Sequence, residues 1–486
     1  MPTPQPPAPS LDRPVELSFA TPADGVTLGR LVGPDTLPAD AATLKAHGFE
    51  AAAGTAIRLW SGTGAAIVLG GVGAQPTLAS VRDAAAAIAR ASDAEPALAI
   101  ELPSLAGLDD AAVAEAVVEG AVLARYTYDA LRAEPERTPI TSLTLVASEG
   151  VDEAAARAGA ERGRVLAAAT ALTRDLANTP HSHLTAAMLA DFAERFGTER
   201  GLEVEVFGPD EARELRLGGL LGINAGSVDP LRMIKLSYRP EGEPTKRVGL
   251  VGKGITYDAG GISLKPSDGV HAMMKNDMTG AAAILAAMGA LRELGCTAEV
   301  TGWLMCTNNM PSGSATGLGD VLTMRNGLTV EVIDTDAEGR LVMADALVLA
   351  AETKPDAIID IATLTGSAGR ALGPDMGAVL GSDQVTVDAV IAAGDQADEP
   401  VWQLPLHRPY LRMLDSTTAD ICNCAAVGLP DAILASLFLE KFVDGVPWAH
   451  IDIAGTAQAD ADRSVRVPGG SGFGARLLAQ LLTRDW

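Results

Sequence analysis

The stretch Ile333-Asp334-Thr335-Asp336-Ala337-Glu338-Gly339-Arg340-Leu341 places three carboxylates and one guanidinium within seven positions. An apolar, β-branched run at 328–333 precedes it and a run of helix formers follows. Acids so crowded at a strand end repel one another unless the turn is solvated or a strong positive charge sits among them. Asp258 and Asp277 stand in the single passage from the strand at 247–254 to the helix at 280–295, with Lys253 and Lys265 close by in sequence. Oxygen-rich sets of this kind bind hard or borderline divalent cations. Two such ions would balance the charge of Asp258, Asp277, Asp336 and Glu338 together. Cations would also drive Lys253 toward its neutral amine, making it a further ligand. A cation pair so held acidifies a water into a nucleophile, which is hydrolytic chemistry. Taken singly, a D-x-E after a strand reads as a capped turn and a G-K-G as backbone geometry. Only their combination points to metal. His271 reads as a solvated loop histidine and His450 as a buried hydrogen-bonding group, so neither joins the ligand set.

The elements that must carry these residues follow an α/β rhythm. Strands are predicted at 65–71, 97–102 and 142–148, with helices at 78–92 and 109–131 between them. A long helix at 153–176 bridges to a second α/β region. There, strands are predicted at 247–254, 297–306, 328–333, 356–364 and 448–455, separated by helices at 280–295, 341–353 and 431–443. Several of these strands are apolar on both faces, as a sheet covered by helices on both sides requires. The expected architecture is two domains joined by the long helix, each a mostly parallel or mixed sheet flanked by helices. The N-terminal domain spans 1–165 and the C-terminal catalytic domain 166–486. Sites in open α/β sheets form beyond the carboxyl ends of the strands, and that rim is where Lys253, Asp258, Lys265, Asp277, Asp336 and Glu338 are expected to meet.

Composition removes other classes. With 37 basic and 62 acidic residues the formal charge is −25, so phosphate backbones and anionic membranes are poor partners. Four cysteines in 486 residues make no disulfide framework, and Cys422 and Cys424 read as neighbouring free thiols. The opening "MPTPQPPAPSLDRP" lacks a basic start and an apolar core, so it reads as a disordered tail, not a signal peptide. No apolar run reaches membrane-spanning length. A cytoplasmic location is expected. "GGVGAQP" at 70–76 has Pro76 where a dinucleotide fingerprint needs a small residue, and "LVGKGIT" at 250–256 lacks P-loop spacing.

From about Thr173 to the end the chain resembles the leucyl aminopeptidases (cytosol aminopeptidases, peptidase family M17). The resemblance rests on "TRDLANTPHSHLT" (173–185), "VGKGITYDAGGISLKPS" (251–267), "MKNDMTGAAA" (274–283), "TDAEGRL" (335–341), "DIATLTG" (360–366), "WAHIDIAGTA" (448–457) and "GFGARLLAQLL" (472–482), in the family's order. The first third matches only in its α/β pattern. The resemblance implies a co-catalytic two-metal exopeptidase. In it Lys253, Asp258, Asp277 and Glu338 hold one ion, and Asp258, Asp336 and Glu338 hold the other. It further implies Lys265 as catalytic lysine and Arg340 as catalytic arginine holding a bicarbonate. Lys265, Met274, Asp277, Thr363, Leu364 and Gly366 are implied to bind substrate. Peptides with a free N-terminus, a leucine-type preference, Mn or Zn (or Mg or Co) and a homo-hexamer complete the expectation.

Two departures stand out. Asp334 replaces the family's usual Asn, and the interval from Lys265 to Asp277 is one residue longer, around Val270-His271-Ala272. Three other readings compete: a DNA-binding regulator, a catalytically silent structural homologue, and another carboxylate-rich hydrolase such as a phosphatase. The first lacks a basic patch. The second would have lost ligands that are present here, and the third calls for histidines, which the ligand-bearing stretches 251–267, 274–283 and 335–341 do not contain.

Overall fold

The computed structural model describes residues 8–38, 40–60, 65–134, 137–425 and 430–486. The chain packs into two units, 8–171 with 459–469, and 172–458 with 470–486. Residues 1–7 of the segment read as a tail lie outside the described residues. Residues 8–14 form turns, with the Leu11 amide donating to the Ala8 carbonyl and Arg13 paired to Asp129 at 2.9 Å.

The first unit is built on six strands, β1 (Glu16–Phe19), β2 (Thr27–Val32), β3 (Ala56–Trp60), β4 (Ala66–Gly71), β5 (Ala97–Leu102) and β6 (Ser142–Ala147). They lie in the order β1-β6-β5-β2-β4-β3, and only β3 runs antiparallel to its neighbour. Its core gathers Val68, Ile88, Ile100, Val117, Leu143 and Leu145 between the sheet and helices Leu78–Arg90 and Asp110–Ala124. The glycine-rich loop after β4 leads into an ordinary helix start, where Thr77 accepts the Ser80 amide. The second of these helices ends at Ala124, short of the predicted 131. Arg125 stops it: its guanidinium donates to the carbonyls of Ala89, Ser92 and Asp93, drawing the chain away from the helix axis.

Helix Glu153–Asn178 begins in the first unit, and its residues from Leu172 on belong to the second. There the strands are β7 (Glu203–Phe207), β8 (Arg232–Tyr238), β9 (Arg247–Asp258), β10 (Glu299–Asn309), β11 (Val321–Thr323), β12 (Thr329–Glu331), β13 (Ala357–Ala362), β14 (Gly377–Gly381), β15 (Val401–Gln403), β16 (Ile421–Cys422) and β17 (Trp448–Asp452). Eight of them form one mixed sheet ordered β15-β14-β17-β13-β9-β10-β8-β7. Its apolar strands are flanked by helices that include Thr279–Ala290, Gly339–Glu352 and Asp431–Glu440.

Two sequence expectations need correcting. The strand predicted at 247–254 runs on to Asp258, because β10 pairs with β9 along most of that length. The strand predicted at 328–333 shrinks to β12, and it belongs to a separate three-stranded sheet with β11 and β16. An apolar run that short satisfies its backbone equally well on a small satellite sheet, and the hydrophobic pattern does not distinguish the two. Among the described residues, no helix is long and apolar enough to cross a membrane.

Candidate active site

The central strand β9 opens the site. β13 pairs with it only from Val248 to Gly252, whereas β10 continues along its other side to Asp258. The connection from β9 goes to β10 on one side, and the later β13 returns to the opposite side, so the strand order reverses here. A crevice beyond the strand ends is the geometric result. Lys253 is the first residue past the β13 pairing. The register shift between Thr307 and Asn309 then lets Asn309 stand opposite Asp258, and a bulge of this kind re-aims side chains.

Lys253 Nζ donates to Asp277 Oδ1 at 2.8 Å and to the Thr363 carbonyl at 3.0 Å. It also lies 2.7 Å from Glu338 Oε1. Lys265 Nζ sits 2.7 Å from Asp258 Oδ2 and 2.5 Å from Asp336 Oδ1. Oxygens of Asp258, Asp336 and Glu338 converge within 4.8 Å of one another. The outer oxygens are fixed by polar neighbours. Asp258 Oδ1 accepts from the Gly260 amide and from Asn309 Nδ2, each at 2.9 Å, and Asp277 Oδ1 accepts the Thr363 hydroxyl at 2.6 Å. Gly260 has φ +89°, and a Cβ there would come within 2.9 Å of Asp336 Oδ1, so this turn admits only glycine beside the cluster.

Four carboxylates thus share two ammonium groups, and the cluster is short of positive charge. Burial, reinforced by Asp258 and Glu338, pushes Asp336 up to about 7. Burial also raises Asp277 and Glu338 against the pull of Lys253. Burial would lower both lysines, yet the surrounding carboxylates outweigh it and hold them above the ordinary ammonium range. Asp277 Oδ2, Asp336 Oδ1 and Glu338 Oε1 lie within ion-pair distance of a lysine but accept no directed hydrogen bond from it. Buried acceptors left over in this way fit divalent cations, which need oxygen lone pairs and impose no hydrogen-bond angle.

The 333–338 loop is pinned by a residue the sequence reading passed over. Asn423, fully buried between the two cysteines, accepts from the Ile333 amide at 3.0 Å and donates to the carbonyls of Asp334 and Ala337. Asp334 Oδ1 accepts the Asp336 amide at 2.9 Å, so the replacement for the family's Asn closes the turn. Arg340, buried in the first turn of Gly339–Glu352, donates through Nη1 to the Asn423 carbonyl and through Nη2 to Asp431 Oδ1 at 2.7 Å.

A cavity of about 770 Å³ lies over the cluster, lined by Lys253, Asp258, Lys265, Asp277, Asp336 and Arg340. Met274, Thr363, Leu364 and Gly366 line it too, together with Ile333, Met273, Arg370 and Asp431, which were not singled out from sequence. Strand-end position marks Ile333 in retrospect, but Asp431 looks like any acid at a helix start. The longer Lys265–Asp277 interval forms the short helix Gly269–Ala272. His271 is not a solvated loop residue: it is part of that helix, with its ring stacked on Tyr257. His450 is fully buried and bonded to Asp360. The four cysteines are free thiols.

The sequence profile described as the cytosol aminopeptidase family, catalytic domain, matches residues 171–479, and that family's N-terminal domain matches 40–135. A probable cytosol aminopeptidase of Chlorobium limicola is 40% identical over 458 residues, covering 90% of each chain. One from Chlorobaculum tepidum is 41% identical over 462 residues, again 90% of each. Among solved structures, the bottromycin maturation enzyme BotP in complex with Mn superposes with a TM-score of 0.87 at 38% identity. That match covers 94% of this chain and 99% of the other.

Proposed function

The chain belongs to the cytosol aminopeptidase family of metal-dependent exopeptidases, and from that premise we propose that it releases N-terminal, leucine-type residues from peptides by a two-metal mechanism. The observation that carries this reading is the set of buried carboxylate oxygens without directed partners. Lys253, Asp258, Asp277, Asp336 and Glu338 would hold two divalent ions, of which Mn or Zn suits the mixed oxygen and nitrogen donors. Such a pair supplies a site for the free α-amino group, an acidified water and a polarised scissile carbonyl.

The protein's own groups divide the remaining work. Lys265, 2.7 Å from Asp258 Oδ2 and 2.5 Å from Asp336 Oδ1, presents its N–H groups at the cleft, where they suit stabilising the oxyanion. Met273, Met274, Ile333 and Leu364 give the cleft an apolar wall matched to an apolar first side chain. Arg340 orders the end of the site, although a bicarbonate there would have to share its guanidinium with Asp431. Free thiols throughout agree with work in the cytoplasm, and a hexameric assembly accompanies this reading.

Metal analysis and substrate choice test it together. Protein reconstituted with Mn²⁺ should hold two ions per chain and cleave leucyl peptides, and it should leave their N-acetylated forms intact. A plateau at one ion or none, or appreciable cleavage of the blocked peptides, would overturn the reading.

A further inference from the structure

Four cationic side chains line the cleft, and three of them already face acids. Lys253 pairs with Asp277, Lys265 with Asp258 and Asp336, and Arg340 with Asp431. The fourth is Arg370, in the helix Gly366–Leu372. Among the described residues, no carboxylate lies within ion-pair distance of Arg370 and no hydrogen bond engages its guanidinium. On a chain of net charge −25, a guanidinium in a cleft without an acid beside it keeps its whole fork of N–H groups for something that enters.

This arginine stands within a short peptide's length of the carboxylate cluster. Thr363 accepts Lys253 Nζ on its carbonyl at 3.0 Å and donates its hydroxyl to Asp277 Oδ1 at 2.6 Å. Gly366 follows three residues later, at most about 11 Å along the chain. A Cβ on Gly366 would come within 3.1 Å of Arg370 Nη1, so the guanidinium lies beside Gly366 on the wall of the cleft. An extended dipeptide or tripeptide spans about 7–11 Å. A molecule held by its amine at the cluster can therefore present a more distant group to Arg370.

Resting on the aminopeptidase reading above, we propose that Arg370 is a specificity-determining residue of this site, selecting substrates that carry a carboxylate away from the scissile bond. The planar fork takes both oxygens of that carboxylate, a geometry a lysine cannot reproduce. Two sources supply the same anion: the side chain of an acidic first residue, and the free C-terminus of a short peptide. Arg370 binds it and exchanges no proton with it.

The test compares the Mn²⁺-loaded parent with Arg370→Gln and Arg370→Lys on two matched pairs of substrates. Glutamic acid α-amide against glutamine α-amide varies only the side-chain carboxylate, and leucylglycine against leucylglycine amide varies only the terminal one. Within each pair, kcat/KM for the carboxylate member is divided by that for its neutral partner, so damage common to all substrates cancels. In Arg370→Gln this ratio should fall about tenfold in at least one pair, through KM, the scale of one lost charge-assisted hydrogen bond. Arg370→Lys should fall between that variant and the parent. A fall in the first pair names the acidic side chain as the source, and a fall in the second names the free C-terminus. Ratios equal to the parent's in both pairs would overturn the assignment, as would a loss confined to kcat. Leucine amide, which has no carboxylate, reports on the aminopeptidase reading separately. A parent that leaves it intact would sink that reading, and this one with it.

Discussion

The acidic ligand candidates Asp277, Asp336 and Glu338 carry a conflict that a cation resolves. Asp336 is pushed up to about 7 by burial and by Asp258 and Glu338, and Lys253 is an ammonium because Asp277 and Glu338 outweigh its burial. A divalent ion bound by both must displace their protons. Proton competition weakens binding as pH falls, by about tenfold per unit for each proton displaced. Above pH 7 Asp336 is already ionised, and the slope of log affinity against pH is set by Lys253 and by the raised Asp277 and Glu338. Below pH 7 the Asp336 proton joins the exchange, so the slope should steepen by up to about 1. Mn²⁺ titrations at several pH values, in buffers of known ionisation enthalpy, measure both slopes. Affinity that stays flat across this range would mean neither residue gives up a proton to the metal.

The ligand-bearing elements are held in register by close backbone approach. Helix Thr279–Ala290 follows Asp277 directly, and a Cβ added at Gly280 would stand 2.2 Å from the Ile361 carbonyl of β13. Backbone cannot yield there as a side-chain tip would. Gly280→Ala must therefore push the helix off the sheet, moving Asp277 away from Lys253 and Thr363. Overpacking of this kind typically costs about 1–3 kcal/mol. The variant is expected to melt several degrees lower, by about that amount of lost stability, and to lose metal at a lower chelator concentration than the parent. A melting temperature and metal content equal to the parent's would show that the contact is softer than its geometry implies.

For the whole molecule, the assembly is the main prediction. Six chains of 49.8 kDa should give a particle of about 300 kDa by light scattering, closed by point-group symmetry as most homo-oligomers are. A mass near that of one chain would remove the hexamer. The charge of −25 adds a second consequence at this scale, since a surface so acidic keeps such particles apart in solution and disfavours nucleic acid.

The amino-acid sequence by itself determined the α/β class, four of the eight strands of the main sheet and the carboxylates that gather on its rim. Those features are local: strand and helix periodicity, and acids placed next to apolar strand ends, are written in consecutive residues. It also carried the family, because "TDAEGRL" and its companion blocks are short and distinctive. Tertiary structure alone decided that the 333–338 loop hangs from a satellite sheet and that Asn423 pins it. It alone paired Arg340 with Asp431, 91 positions away. An aspartate at the start of a helix has the same local signature whether it faces water or an arginine in a cleft. Its partner is chosen by the packing of two helices against one sheet, and no stretch of neighbouring residues encodes that choice.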